Sequence, residues 1–555
     1  MRSTWLAALA FLAACGTSGY EGATGDSGAS PGTGSGSSGG NGVSFGGAQD
    51  IGDFRAILDR GELPGPDTLD ANGFFNEHYN APAPASCGNL LCIAAGMAVG
   101  RDWQAGAHEA MLQIAVDSTV DPKTYQRLPM NLVVVIDHSG SMALDNRIDK
   151  VRVGLHALID HLHDEDRLAI VEFDDRVDVD SPFGTALDRT ALHAIVDRIQ
   201  PRGATDIYDG LQQGFALLGD APSERQNRVI FLSDGLATAG NTDPAAIQTM
   251  AAQAVGKGIG LTTIGVGDEF DIQLMRGLAE QGAGNFYFLE DNTAATEVFT
   301  EEVDYFMQPI ALDITLGVTA GAGYQLGEAA GTTLWTNGAT NGRMAIPAVF
   351  VASRTTQSGE LGRRGGGSMI FVPLTPIAGN DGKVADITLS YRLPNTTQKI
   401  LQTVTLDYAA DPSDTPEQPY LSSPEMSERY AMYNMYLGLH QATEAQSLGC
   451  ALSILQATRA AAMTWNAAHE DPDIADDLTL VDQYLANLSA RGEYATYNGV
   501  YPPPSSCAVA TPEPPYGDPM PVDDVYVHGC STGGPTGGLT VMLGALLVLR
   551  RRRRR

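Results

Sequence analysis

The sequence is poor in basic residues, in cysteine and in long hydrophobic runs. Only 34 of the 555 residues are Lys or Arg, against 66 Asp and Glu, and seven of the 34 are Arg2 and the arginines at 550–555. The remaining 27 basic residues leave the rest of the chain strongly acidic. This balance excludes a protein that binds nucleic acid through generic phosphate contacts.

Several catalytic motifs are also missing. The chain has no HExxH helix motif, which excludes a typical zinc protease, and no GxxxxGK[ST] loop, which excludes a P-loop ATPase. It has no CxxC pair, which excludes a thiol–disulfide oxidoreductase of the usual kind. No nucleophile with a neighbouring base stands out, so we expect no enzymatic activity.

The first 47 residues have the composition of an export signal and a tether. Arg2 precedes a short apolar run that ends in Leu12-Ala13-Ala14-Cys15, and this ending resembles a bacterial lipobox, in which the cysteine carries lipid. We therefore expect a lipoprotein-type signal at 1–15 with lipidation at Cys15; an ordinary signal peptide is the alternative. Residues 16–47 hold 13 Gly and 7 Ser and predict a flexible linker.

The other end of the chain carries a second sorting signal. Residues 499–529 are rich in proline and predict an extended stalk. Residues 530–555 begin with Cys530, which follows Gly529, and continue into a short apolar segment and six arginines. This arrangement resembles the C-terminal sorting tags of myxobacteria. That resemblance implies cleavage near Cys530 and retention at the cell surface. Together the two ends predict an exported protein in the cell envelope, outer-membrane or surface anchored.

Four cysteines remain outside these signals. Cys87 and Cys92 are close enough for a small loop, and Cys450 and Cys507 frame the last folded region. Export to an oxidising compartment predicts that they form two disulfides.

The centre of the chain alternates strand and helix patterns. Residues 132–136 form a continuous apolar run, typical of a strand buried on both faces, and residues 148–162 repeat apolar positions every three or four residues. Similar strand-like runs recur at 168–173, 229–232, 261–266 and 285–289. This alternation predicts an α/β fold with a doubly wound, mostly parallel sheet, whose ligands bind at the carboxyl ends of the strands.

Oxygen-bearing side chains follow those predicted strands. They are Asp137, Ser139, Ser141, Thr205 and Asp234. Hydroxyl and carboxylate oxygens with few direct charges suit Mg²⁺, and Mn²⁺ as a substitute. The alternative is a purely structural role, in which these residues are N-caps of helices, where Ser, Thr and Asp are favoured.

The Asp137-x-Ser139-x-Ser141 motif, with Thr205 in Gly-Ala-Thr-Asp and Asp234 after a buried strand, resembles the metal-ion-dependent adhesion site of the von Willebrand factor type A (VWA) family. The resemblance implies that the three hydroxyls contact the metal and that the two carboxylates act directly or through water. The family varies at His138, which we assign no role. The wider pattern is similar to bacterial VWA lipoproteins of the YfbK type.

That resemblance also divides the chain. We expect an N-terminal VWA-associated module at 48–128, the VWA domain at 129–308, an antiparallel β-sandwich at 309–410 and a small helical region at 420–498.

Two other clusters of polar residues resemble binding sites at first sight. His156, His161 and His163 cannot converge from one helix, so solvent-facing histidines are the better interpretation. Asp174, Asp175, Asp178 and Asp180 could attract calcium weakly, but a solvated strand edge is the simpler interpretation.

Three functions fit these patterns. The first is an adhesion-type binding protein that captures an Asp or Glu of a protein partner through the metal. The second is an envelope assembly factor that uses the same site for an internal partner. The third, a metal-dependent hydrolase, lacks a base, and hydroxyl-rich sites activate water poorly.

Overall fold

The computed structural model describes the following residues: 41–79, 87–120, 128–184, 187–219, 225–267, 270–289, 292, 294–296, 298–300, 309–351, 367–377, 382–394, 396–408, 419–491, 504 and 507. The predicted signal at 1–15, the tag at 530–555 and most of the stalk lie outside these residues. Among the described helices, none is both long enough and apolar enough to cross a membrane.

The strands, in chain order, are β1 (Asn41–Ser44), β2 (Gly47–Ala48), β3 (Leu91–Arg101), β4 (His108–Ser118), β5 (Met130–Asp137), β6 (Arg167–Phe173), β7 (Val177–Ser181), β8 (Gln226–Ser233), β9 (Ile259–Val266), β10 (Asn285–Leu289), β11 (Ala311–Ala320), β12 (Tyr324–Leu326), β13 (Thr336–Asn337), β14 (Asn341–Val351), β15 (Met369–Pro376), β16 (Gly382–Arg392), β17 (Lys399–Tyr408) and β18 (Tyr420–Leu421). The helices are α1 (Gly52–Asp59), α2 (Ala71–Asn76), α3 (Arg147–His161), α4 (Arg189–Val196), α5 (Ile207–Leu218), α6 (Pro244–Gly256), α7 (Ile272–Gln281), α8 (Met426–Thr443), α9 (Leu448–His469) and α10 (Pro472–Ser489). Short 3₁₀ helices lie at Pro66–Thr68 and Gly140–Asn146.

The central part of the chain forms the predicted parallel sheet, in the order β2-β10-β9-β8-β5-β6-β7. All its neighbours are parallel except β7, which runs antiparallel to β6. Strand β5 shows why the sequence folds this way: Val134 contributes to the core beneath α3 and α4, whereas Val133 and Val135 contribute to the core beneath α5, α6 and α7. A strand that buries both faces needs the continuous apolar run seen in the sequence, and the doubly wound α/β prediction is confirmed.

The antiparallel sheet has eleven strands, with the path β12-β15-β4-β1-β14-β11-β16-β17 and with β3, β13 and β18 joined at its sides. Its two halves face each other across one core, since Leu112 and Ile370 from one half cluster with Leu316 and Leu389 from the other. This is the predicted β-sandwich. Its composition differs from the prediction, however, because β3 and β4 of the supposed separate module are two of its strands.

The prediction of a linker as far as residue 47 is wrong at its end. Strand β1 pairs antiparallel with β4 on one side and with β14 on the other, and Val43 is fully buried between them. Three residues later β2 pairs with β10 of the parallel sheet. Backbone pairing and burial of Val43 and Phe45 order this glycine-rich stretch, which composition alone does not indicate.

The helices α8, α9 and α10 pack with α1 and α2 into a second hydrophobic cluster. Met111 of β4 and Phe371 of β15 also belong to this cluster, so one half of the sandwich is covered on both faces. The structure contains both expected disulfides, Cys87–Cys92 and Cys450–Cys507. The second bond ties α9 to the residues that follow the helical region.

The sandwich contacts the parallel sheet at the amino ends of its strands. The Arg228 guanidinium, near the start of β8, lies 5.0 Å from the ring centroid of Phe350 in β14. Ser233, at the other end of β8, is five residues away, which is about 16 Å along a strand. The carboxyl edge of the parallel sheet is therefore remote from this contact.

Candidate metal centre

Two loops at the carboxyl edge of the parallel sheet bring four of the five predicted side chains together. Strand β5 ends at Asp137 and is followed by Ser139 and Ser141, while β8 ends just before Asp234. The Ser139 and Ser141 Oγ atoms are 3.0 Å apart, and Ser141 Oγ donates to Asp234 Oδ1 at 2.8 Å. Asp137 Oδ1 accepts from the Ser139 backbone N–H at 2.8 Å, which holds the carboxylate against its own loop.

The fifth residue, Thr205, reaches the same place from the loop before α5. Its backbone N–H donates to Thr238 Oγ1 at 3.0 Å, and its carbonyl accepts from the Thr238 N–H at 2.9 Å. A Cβ built on Gly235 would lie 3.9 Å from both Ser141 Oγ and Thr205 Oγ1. The two hydroxyls thus flank the same glycine, and the structure gathers all five predicted residues at one edge.

The helix-cap interpretation does not account for these side chains. Ser139 precedes the 3₁₀ helix Gly140–Asn146 but makes no side-chain cap hydrogen bond. The N-cap of α5 is Asp206, whose carboxylate accepts from the Asp209 N–H at 3.1 Å, and not Thr205. Residues other than the predicted ligands therefore do the capping.

Burial makes the two carboxylates costly to ionise. Desolvation raises the pKa of Asp137 to about 6, against hydrogen bonds from Ser233 and Ser139 that lower it. Burial likewise raises the pKa of Asp234, partly offset by Ser141 and by Arg147, whose Nη1 donates to Asp234 Oδ2 at 3.0 Å. A bound cation would favour the charged form of both groups.

The donor set fits Mg²⁺. Ligands in an octahedron with bonds of about 2.0–2.1 Å have neighbouring oxygens about 2.9 Å apart. The Ser139–Ser141 and Ser141–Asp234 oxygen pairs, at 3.0 and 2.8 Å, have this spacing. Among the described residues no group of three or more His, Cys, Asp or Glu has metal-holding geometry, so the hydroxyls are the essential part of this donor set.

Sequence reasoning missed the side chains that position these ligands. Ser233 Oγ donates to Asp137 Oδ2 at 2.6 Å, and both are fully buried. Arg147 is also buried although it opens a helix. A basic residue at the start of a helix, where the dipole disfavours a cation, was the signal that could have marked Arg147.

His138, assigned no role from the sequence, is buried behind the loop. Its Nδ1 lies 2.7 Å from Glu172 Oε2, and its Nε2 lies 3.7 Å from Asp174 Oδ2. Arg202 Nε is 2.7 Å from the same Asp174 oxygen. The solvated-edge interpretation is therefore wrong for Asp174, which is 2 % exposed and ion-paired; this network anchors the loop of Ser139.

The region that carries this site is similar in sequence to known proteins. Residues 131–301 match the family described as the von Willebrand factor type A domain. This part of the chain has the VWA fold, and we call it the VWA domain below. Protein sll0103 of Synechocystis sp. PCC 6803 is 28 % identical over 202 residues, which are 36 % of this chain and 47 % of that protein. Protein YfbK of Escherichia coli K12 is 28 % identical over 218 residues, 37 % of this chain and 36 % of that protein.

The chain thus spans less than half the length of these two relatives. Among solved structures, a von Willebrand factor type A protein from Catenulispora acidiphila has 18 % identity and a TM-score of 0.45, over 69 % of this chain and 87 % of that one.

Proposed function

We propose that the chain is an envelope-anchored, adhesion-type binding protein. Its VWA domain would hold Mg²⁺, or Mn²⁺, with Asp137, Ser139, Ser141, Thr205 and Asp234, and would capture an Asp or Glu side chain of a protein partner. The observation that carries the proposal is the convergence of these five oxygen donors at one sheet edge. Bound there, the metal would offer a coordination position to an outside carboxylate.

The surroundings of the site support a protein partner. Among the described residues, seven large hydrophobic side chains are exposed, and two of them lie on the loops that carry the ligands. Leu144, 51 % exposed, follows Ser141 by three residues, and Leu236, 55 % exposed, follows Asp234 by two. A partner that contacts the metal would also bury these two side chains and gain hydrophobic contact area. Neither leucine is needed to hold a metal.

The position of the domain supports the same proposal. The sandwich contacts the amino ends of the strands near Arg228, so it does not cover the carboxyl edge. Anchoring rests on the sequence signals at Cys15 and Cys530, both outside the described residues. An anchored protein whose metal edge faces away from the sandwich is suited to hold a partner at the cell envelope.

The first test is a calorimetric titration of the full chain with Mg²⁺ and Mn²⁺. We expect saturable binding that Asp137→Ala and Thr205→Ala abolish. Asp164→Ala is the matched control, because Asp164 is an exposed carboxylate of the same domain paired only with Arg189. Equal binding by Asp137→Ala and the wild type would show that the metal is not held here.

The second test identifies the partner. A pull-down from envelope extracts, run with and without EDTA, should recover a protein only in the presence of metal. A foreign surface protein supports adhesion, whereas a resident envelope protein supports the assembly-factor alternative. Capture that is unchanged in Thr205→Ala would contradict both, since it would not depend on the metal site.

A further inference from the structure

Two histidines from neighbouring helices face each other on the outer side of the VWA domain. His156 lies on α3 and His193 on α4, and their Nδ1 atoms are 2.6 Å apart. The ring centroids are 4.9 Å apart and the ring planes are inclined by 29°, so the two rings meet edge to edge with their Nδ1 atoms between the centroids. The sequence grouped His156 with His161 and His163 on its own helix; its partner instead comes from 37 residues further along the chain.

Each histidine is held from behind by an aspartate of the opposite helix region. His156 Nε2 lies 3.1 Å from Asp197 Oδ1, and His193 Nε2 lies 3.0 Å from Asp160 Oδ1. Within each helix region the histidine precedes the aspartate by four residues, as in His156 and Asp160, so the two halves of the cluster have the same arrangement.

This arrangement fixes where the ring protons are. A carboxylate accepts a hydrogen bond and so keeps the proton on Nε2, which leaves a lone pair on Nδ1. In both rings this lone pair points toward the other ring. Two lone pairs 2.6 Å apart repel each other unless a cation lies between them.

We propose that His156 and His193 bind a borderline divalent transition metal, such as Zn²⁺ or Cu²⁺, through their Nδ1 atoms, with Asp160 and Asp197 as the carboxylates that orient the rings. Imidazole nitrogen suits these metals, and a carboxylate behind a ligating histidine is the common supporting contact. The histidine side chains are 33 % and 29 % exposed, so water can complete the coordination sphere.

The site is separate from the oxygen-ligand centre. His156 lies nine residues after Arg147 on the same helix, about 14 Å along its axis. Metal–nitrogen bonds of about 2.0–2.1 Å that meet at the angles of a tetrahedral or octahedral site place the two nitrogens about 2.9–3.4 Å apart, so the two Nδ1 atoms would have to separate by less than about 1 Å. Since only two protein atoms ligate, we expect weaker binding than at a four-ligand structural zinc site.

The test is electron paramagnetic resonance of Cu²⁺ added to the full chain in excess Mg²⁺. Coupling to two nitrogens distinguishes this site from the oxygen-ligand centre, and the histidine variants assign the signal to His156 and His193. We expect the two-nitrogen signal in the wild type and its loss in His156→Ala and in His193→Ala. His163→Ala, an exposed histidine near the end of α3, is the control and should keep it.

Two further variants separate metal binding from folding. Asp160→Asn and Asp197→Asn keep both nitrogen ligands and should weaken Cu²⁺ binding about 10–100-fold. A wild-type spectrum without nitrogen coupling would overturn the proposal and assign the gap between the rings to a shared proton. A signal unchanged in both histidine variants would also overturn it.

Discussion

The VWA domain and the β-sandwich are built in opposite ways. Apart from the two-residue strand β2, the VWA domain takes its strands, β5–β10, and its helices from one continuous stretch of chain, whereas the sandwich combines strands that precede and follow that stretch. Strand β4 at 108–118, for example, pairs with β15 at 369–376. The VWA domain is therefore an insertion within the sandwich, although the linear pattern suggested modules in a row.

The difference explains how the candidate metal centre is positioned. The inserted domain carries its ligands on loops that its own strands position, so its site needs no residue of the sandwich. The sandwich depends on pairing between strands far apart in the sequence. Its short strand β1 pairs with both β4 and β14 and so joins them. The two regions should accordingly respond to different mutations.

The largest expected effect is that of Arg147→Met, which acts within the VWA domain. It removes the cation beside the buried Asp234 carboxylate, and we expect a loss of about 3–5 kcal/mol in the free energy of unfolding of that domain. Mg²⁺ should restore more stability in this variant than in the wild type, because it supplies the missing charge. Thermal unfolding with and without Mg²⁺ measures both, and the exposed Arg198→Met is the control. An equal effect of Mg²⁺ on variant and wild type would count against a metal next to Asp234.

Val43→Asp should break the sandwich and spare the VWA domain. A charge at this fully buried position of β1 is expected to cost about 3 kcal/mol or more. All four tryptophans lie outside residues 131–301, so their fluorescence should report early unfolding of the sandwich while Mg²⁺ affinity stays unchanged. Leu401→Asp, at a site 71 % exposed in β17, is the control. Loss of metal binding together with fluorescence would show that the two regions are one cooperative unit.

The free energy of unfolding should depend on pH through an ion pair between the segment after α2 and helix α10. His78 Nε2 lies 3.0 Å from Asp477 Oδ2. Burial alone would lower the pKa of His78, but the charge and hydrogen bond of Asp477 raise it to about 9. Because this pKa is above the unfolded value of about 6.5, the stabilisation is complete below pH 6.5 and is lost as the pH rises through 9.

Urea unfolding at pH 6.5 and 9.5 should therefore differ by about 1–3 kcal/mol in the wild type. His78→Gln should reduce that difference, whereas the exposed His163→Gln should leave it unchanged. The same pH dependence in His78→Gln would assign the effect to other groups.

The smallest effects on stability are expected at the rim of the metal site. Leu144→Ser and Leu236→Ser, which add no charge beside the metal, should each weaken partner binding roughly tenfold, about 1.4 kcal/mol, with Mg²⁺ affinity and melting temperature unchanged. Surface plasmon resonance with the captured partner measures the first, and Val179→Ser, exposed on β7, is the control. If neither leucine variant changes affinity, the partner docks elsewhere on the chain.

The candidate metal centre could be predicted because most of its residues lie directly after buried strands that the sequence itself indicates. Asp137, Ser139 and Ser141 adjoin one buried strand and Asp234 adjoins another, and the carboxyl ends of parallel strands share an edge. The residues that position them, Arg147 and Ser233, could not be selected in this way. Their role depends on which atoms face Asp234 and Asp137 across the sheet, and no periodicity encodes that.

The doubly wound α/β core follows from the sequence pattern, since apolar β-branched runs such as 132–136 alternate with helical periodicity and are typical of strands covered on both faces. The alternation of apolar and polar residues also indicated the sandwich strands. The position of β1 within the sandwich, the inclusion of β3 and β4 and the contact of His156 with His193 were visible in the three-dimensional structure alone. These contacts join residues tens to hundreds of positions apart, and pairing over such distances is selected by the total burial of the fold, which no short stretch of sequence contains.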